Sequence, residues 1–368
     1  MPLQKSIWTG QDWAVYQGAG SQPPLDVFIL GTTMPTKANS GVPAGTVLTP
    51  YDPTGTLRTF NAGTANATYT NIDFGNVKVV VKAANVSFVR CRWSITDSTT
   101  GAAIAYTVAT GVSNCLFSQC DFICTDQKAN INAIQGHDMT VYRCKIQGTC
   151  DGIDPTGGAN VKVRGSYISD LAWLASDTKG VVHPSDFQSH ADCMQIFYGG
   201  ACEIVGNFLG AYPSVIVGTG TPGSGNDTGN PTSEYTQAQA EARRAQLLGS
   251  FYTDPSKSYD GIAHENSGVV TSLMCTPNGS GSTALNLVVT DNWIGGGVVA
   301  VNAGTSSLTS PLGTFQRNRF FADMKGQSGG RPVAFWFRSD LTATVPMSGP
   351  DRNVWMDDGT TVGRVAST

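Results

Sequence analysis

Residues 88–93 read FVRCRW, residues 117–122 FSQCDF and residues 141–146 VYRCKI. Each stretch is apolar at its first and sixth positions and has cysteine at its fourth. Four further stretches keep the frame, VRGSYI (163–168), IVGNFL (204–209), VTDNWI (289–294) and FQRNRF (315–320). The fourth position runs Cys91, Cys120, Cys144, Ser166, Asn207, Asn292, Asn318. A cysteine run that gives way to an asparagine run is the pattern of side chains stacked on successive turns of one coil, where inward Cys packs as a small apolar group and Asn amides bond along the axis.

The first four hexads start 29, 24 and 22 residues apart and the last two 26. Such periods fit the turns of a solenoid in which short strands bury their inward residues against the turns on either side. The reading is all-β, a single-stranded right-handed parallel β-helix over residues 71–330. Residues 1–70 lack the hexad and hold Trp8, Trp13 and Tyr16, and residues 331–368 hold PVAFWF and NVWMDDGTTV. Both are expected to cap the open strand edges that a coil leaves at its ends, the first serving equally as an attachment segment. Insertions longer than a turn fall at about 170–190 and 218–257, the second with a helix pattern after Pro231, and both are expected on one face.

Composition agrees with many short strands and tight turns. Charged residues make up 14% of the 368-residue chain and glycine contributes 43 copies. A net charge of -4 without a Lys/Arg run argues against nucleic acid as a partner. No stretch approaches a membrane span or a signal peptide, so synthesis in a cytosol is expected. The nine cysteines form no zinc spacing and are expected as free thiols packed inside, with neither metal nor other cofactor.

Two stretches carry the candidate chemistry, CDGIDPTGGANVKV (150–163) and HADCMQIFYGGACEI (190–204). Asp151 and Asp192 hold one offset from successive hexads, which predicts that they stack, with one carboxyl pKa raised or a proton shared. Strand alternation, with Ile153 and Met194 inward, leaves Asp154 and Gln195 as an exposed outer pair. The intervening HPSDFQSHADC adds His183, Asp186 and His190, acid–base residue types at no established metal spacing.

CDGIDPTGGANVKVRGSYI followed by ADC resembles the polygalacturonase-type glycoside hydrolases of the pectin-lyase-like fold. On that resemblance Asp151 takes the place of the first family carboxylate and Asp192 that of the second Asp of the Asp-Asp pair. Ala191 stands where the family keeps its general acid, and no Gly-His-Gly or Arg-Ile-Lys follows; GHD at 136–138 lies upstream. Hydrolysis by the family mechanism is therefore not expected, since alanine cannot protonate a leaving oxygen. A coil with a degenerate motif of this kind resembles bacteriophage tail spikes and fibres, and the ending NVWMDDGTTV resembles minor tail proteins of phages of actinobacteria.

That resemblance implies a virion tail protein that engages envelope glycans of the host, a homo-oligomer with a trimer favoured, and other tail proteins as neighbours. Trp173, His183, Gln195 and Tyr198 are the expected glycan contacts. Two alternatives stay open. One is a polysaccharide depolymerase, hydrolase or lyase, using a set drawn from Asp151, Asp154, His190 and Asp192; the other is a purely structural tail subunit.

Overall fold

The computed structural model describes the backbone of residues 5–8 and 13–16, and then residues 28–96, 103–108, 111–125, 131–156, 160–174, 192–196, 200–211, 213–217, 271–275, 285–296, 299–303, 308–321, 333–363 and 365–367. Three parallel sheets of ten, nine and ten strands make up the described coil. Each turn contributes one strand to each sheet in rotation: Lys78–Val81 lies in the first, Ser87–Val89 in the second and Arg92–Ile95 in the third, before Ala103–Thr107 returns to the first. The chain is a parallel β-helix. Among the described residues no helix is long and apolar enough to cross a membrane.

Each hexad spans the corner between the second and third sheets, its second residue ending one strand and its fifth opening the next. Residue three makes the corner. Arg90, Gln119, Arg143, Gly165, Gly206, Asp291 and Arg317 all take a left-handed backbone, with φ between 49° and 65°. Residue four then turns into the wall of the coil and bonds along the axis. Asn207 Oδ1 accepts from Ser166 N at 2.9 Å, Asn292 Oδ1 from Asn207 N at 2.9 Å, Asn318 Oδ1 from Asn292 N at 3.1 Å and Asn353 Oδ1 from Asn318 N at 3.0 Å.

The donors of this ladder share one kind of acceptor. Cys91, Cys120 and Cys144 each point their thiol at the carbonyl of residue one of the previous corner, Tyr69, Phe88 and Phe117, at 3.4 Å. Asn207, Asn292, Asn318 and Asn353 donate Nδ2 to the equivalent carbonyls of Val163, Ile204, Val289 and Phe315, at 2.8–2.9 Å. Cysteine and asparagine thus do the same job, which is why one column can change from one to the other. A second column runs outside, where the first sheet passes to the second. Asn66, Asn85, Asn114, Asp138, Asn160 and Asn286 are left-handed there, a conformation that Asn and Asp adopt more readily than other residues with a side chain. Asn85 bonds Asn66 at 2.9 Å and Asn114 bonds Asn85 at 3.1 Å.

The core fills by stacking. Phe74, Trp93 and Phe122 lie face to face, with centroids 4.9 and 4.6 Å apart and planes within 6° and 4°. Aliphatic residues and thiols fill the middle turns, and Phe315, Phe320, Phe335 and Phe337 close the last ones. All nine cysteines are free and buried. Burial raises the thiol pKa of Cys115, Cys193, Cys202 and Cys275, that of Cys202 to about 12. Ellman's reagent at pH 8 is therefore expected to find almost no thiol in the native protein and nine in denaturant, because only an exposed thiolate reacts; several fast-reacting native thiols would contradict this packing.

The coil runs past both expected limits. Thr49–Pro50, Thr59–Ala62 and Thr68–Thr70 already supply one strand to each sheet. At the other end Val333–Arg338, Ala343–Thr344, Val354–Trp355 and Val365–Ser367 extend all three, so the segment expected as a separate cap continues the turns. Residues 28–46 lie along the side of the coil, not over its end. Phe28 sits 4.6 Å under the Arg143 guanidinium, Gly31 O accepts from Arg319, Lys37 pairs with Asp170 at 2.9 Å, and Val42 N donates to Asp121 at 3.0 Å. Met34 packs on Tyr167, Phe208 and Trp293, an aromatic row facing out from the third sheet. The helix expected after Pro231 lies outside the described residues.

Candidate functional site

Asp151 and Asp192 stand just ahead of the first-sheet strands Ile153–Pro155 and Met194–Ile196. Ile153 pairs with Met194, and Met194 with Leu273. That register stacks Asp151, Asp192 and Thr271 in a column at the corner where the third sheet passes to the first. Gly152 permits the close approach, since a Cβ there would lie 2.4 Å from Cys193 O and 2.6 Å from Ile168 Cγ2. Asp151 Oδ1 accepts from Asp192 N at 3.0 Å. Asp192 Oδ1 accepts from Thr271 N at 2.6 Å and from Thr271 Oγ1 at 2.9 Å. The two aspartates act as rungs of another ladder, each carboxyl capping the next turn's N–H.

Asp154 occupies the outward position opposite Gln135 and accepts from Asn132. Strand alternation predicts exposure for Asp154 and Gln195, but both are buried, at 0% and 4% exposure. Alternation fixes which side of a strand a residue faces; it does not report whether that side is covered.

Burial dominates the electrostatics, because a charge in a low-dielectric interior loses its hydration. It pushes Asp151 up to about 7 against the stabilising N–H of Asp192. Asp154 is held well above its ordinary range by burial and then by the charges of Asp151 and Asp192, and Asp192 by burial and then by Asp151. Both bonds from Thr271 to Asp192, and the one from Asn132 to Asp154, oppose the rise without cancelling it. Asp154 Oδ1 and Asp192 Oδ2 are buried without a hydrogen-bond partner among the described residues.

The result is a cluster of enclosed carboxyls, in each of which burial favours the protonated form. A hydrolase needs a carboxylic acid in contact with the glycosidic oxygen and a second carboxylate across the sugar from it. Here all three are buried, and the two column members spend an oxygen on the backbone of the next turn. Among the described residues no group of three or more His, Cys, Asp or Glu is placed to hold a metal. The GHD stretch belongs elsewhere: His137 Nδ1 bonds Asp138 at 2.7 Å and Nε2 lies 3.0 Å from Val108 O, which ties two turns together at a different corner.

The insertions meet this site. Leu171–Leu174 and Pro213–Val217 continue beyond the third sheet and pair in parallel as a two-stranded sheet of their own. The chain then resumes in the first sheet at the rungs of Asp192 and Thr271. Both excursions therefore leave and re-enter at the same corner on adjacent turns, where the aspartate column stands. Trp173 lies on the first of these strands. Gln195 is placed with Met274 in the first sheet. His183, His190 and Tyr198 lie outside the described residues. The sequence did not point to Thr271, Asn132 or Gly152. Thr271 was hidden because 79 residues separate it from Asp192, so no local spacing links them.

Comparison with protein-family models, curated proteins and solved structures finds no match to this chain.

Proposed function

We propose that the chain is a bacteriophage tail component, a fibre, spike or minor tail protein, that engages envelope glycans of the host with one decorated side and performs no catalysis of its own. The observation that carries this reading is the common root of the two excursions, on adjacent turns beside a column of buried aspartates. A regular turn needs only 22 to 29 residues here, so the added segments are not required to close the coil, and ordering them costs entropy that contacts must offset. Enclosure of Asp151, Asp154 and Asp192 speaks against the depolymerase alternative. Sheet-on-sheet regularity supports a stiff rod, which suits a part that presents a surface at a distance.

Retention on immobilised envelope polysaccharide from actinobacteria tests the reading. The unmodified protein is expected to be retained. Trp173→Ala is expected to weaken retention about tenfold, the order of one lost aromatic stacking contact, with an unchanged circular dichroism spectrum. Equal retention of the variant would move the contact off this strand. No retention of either, with binding to other tail proteins instead, would favour the purely structural subunit.

A further inference from the structure

We infer that residues 28–46 are a clasp, a segment that docks last and couples the middle turns of the coil into one unit. Turns of a solenoid touch only their neighbours, so opening of one is normally felt no further than the next. This segment breaks that rule. It reaches the turn of Asp121 through Val42, that of Arg143 through Asn39 and Phe28, and that of Arg319 through Gly31. Its anchors are polar as well as apolar, with Gly41 N donating to Arg143 O at 2.7 Å and Lys37 paired with Asp170 at 2.9 Å.

The groove it occupies is cut by two glycines. Position three of the hexad carries a side chain in five of the seven corners, and lacks one at Gly165 and Gly206. A Cβ at Gly165 would lie 2.6 Å from the Phe28 ring, and one at Gly206 would lie 2.6 Å from Gly31 N and 2.7 Å from Leu30 Cδ1. Backbone conformation does not explain the glycines, because Arg90, Arg143 and Arg317 hold the same left-handed geometry. The crossing segment does. Since its docking surface includes Gly206, Asp291 and Arg319, up to 288 residues further along the chain, the segment made first has no complete site until those turns have formed.

Hydrogen exchange on the full chain tests this with Gly206→Arg, which fills the groove from the coil side, and Met34→Asp, which alters the segment and leaves the coil's own sequence intact. In the unmodified protein the amides of Thr33, Gly41 and Val42 are expected to exchange as slowly as those of the coil. In both variants exchange over 28–46 is expected to rise about tenfold or more, together with that of strands 141–168, 204–211 and 287–296, while strands 78–95 keep their protection. Pulse labelling during refolding should find 28–46 protected after 287–320. Freed 28–46 with unchanged exchange in the middle strands would reduce the segment to a passive cover. Protection of 28–46 before the turn of Arg319 would overturn the order of docking.

Discussion

Asn292→Ala is expected to lower stability by on the order of 4 kcal/mol, since it deletes several buried hydrogen bonds worth about 1 kcal/mol each and leaves their partners unsatisfied. The amide accepts from Asn207 N and Nδ2, and donates to Ile204 O, Thr290 O and Asn318 Oδ1. Both its neighbours in the ladder lose a partner at once. A loss of that size is a large share of the stability of a typical domain, so the variant is expected to be recovered mainly as insoluble chain. Asn292→Asp is a sharper control, because it keeps the acceptor and removes the Nδ2 donor; it should fall close to the alanine variant. Cys120→Ala, in the same column, loses only a weak thiol bond and about 1–2 kcal/mol. Denaturant midpoints check the ranking, and an Asn292→Ala chain as stable as Cys120→Ala would mean that packing, not the amide column, holds the corner.

The second large effect depends on pH. A carboxyl whose folded pKa is raised binds its proton more tightly when folded. Its favourable contribution is complete below the unfolded value and is lost as pH rises through the folded one. For Asp151 the window runs from the ordinary 3.8 to about 7, and such a shift corresponds to roughly 4 kcal/mol at pH 8 relative to pH 4. Asp154 and Asp192, raised by the same burial, add to the loss of stability as pH rises. Asp151→Asn keeps the oxygen that caps Asp192 N and removes the ionisation. It should therefore match the unmodified protein near pH 4, exceed it at pH 8, and flatten the slope between. Thermal unfolding measured across pH 4–9 decides the point: a variant less stable than the parent at pH 8 would show that the ionised carboxylate is wanted there.

Much of this architecture is legible in the sequence because inward residues recur wherever the coil closes a turn. Phe88, Trp93, Phe117 and Phe122 announce two sheets and the corner between them. The left-handed third residue is not legible, since Arg, Gln, Gly and Asp all occupy it and no composition marks the conformation. Two corners escape for related reasons. YTNIDF (69–74) carries Ile72 where the ladder residue belongs, and Asn353 is preceded by Pro350 where an apolar strand end is expected, so the coil reads shorter than it is. The lateral segment 28–46 has no alternation because it pairs with no sheet. Its signal is indirect, the two glycines it crosses.

The stack of the site is legible in the sequence and its surroundings are not. Equal offsets from the hexads place Asp151 against Asp192, and the register confirms it. Enclosure of Asp154 depends on cover that a single strand's pattern does not contain, and Thr271 depends on a return across a long insertion.

The proposal that the aspartate column is a structural ladder in a glycan-engaging coil, and not a hydrolytic centre, has one direct test. The most direct measurement is release of reducing ends from envelope polysaccharide and from a polyuronate, by the unmodified protein and by Asp192→Asn side by side. The account predicts no release above background from either protein, with retention on the envelope polysaccharide unchanged by the substitution. Release by the unmodified protein that Asp192→Asn abolishes would contradict it.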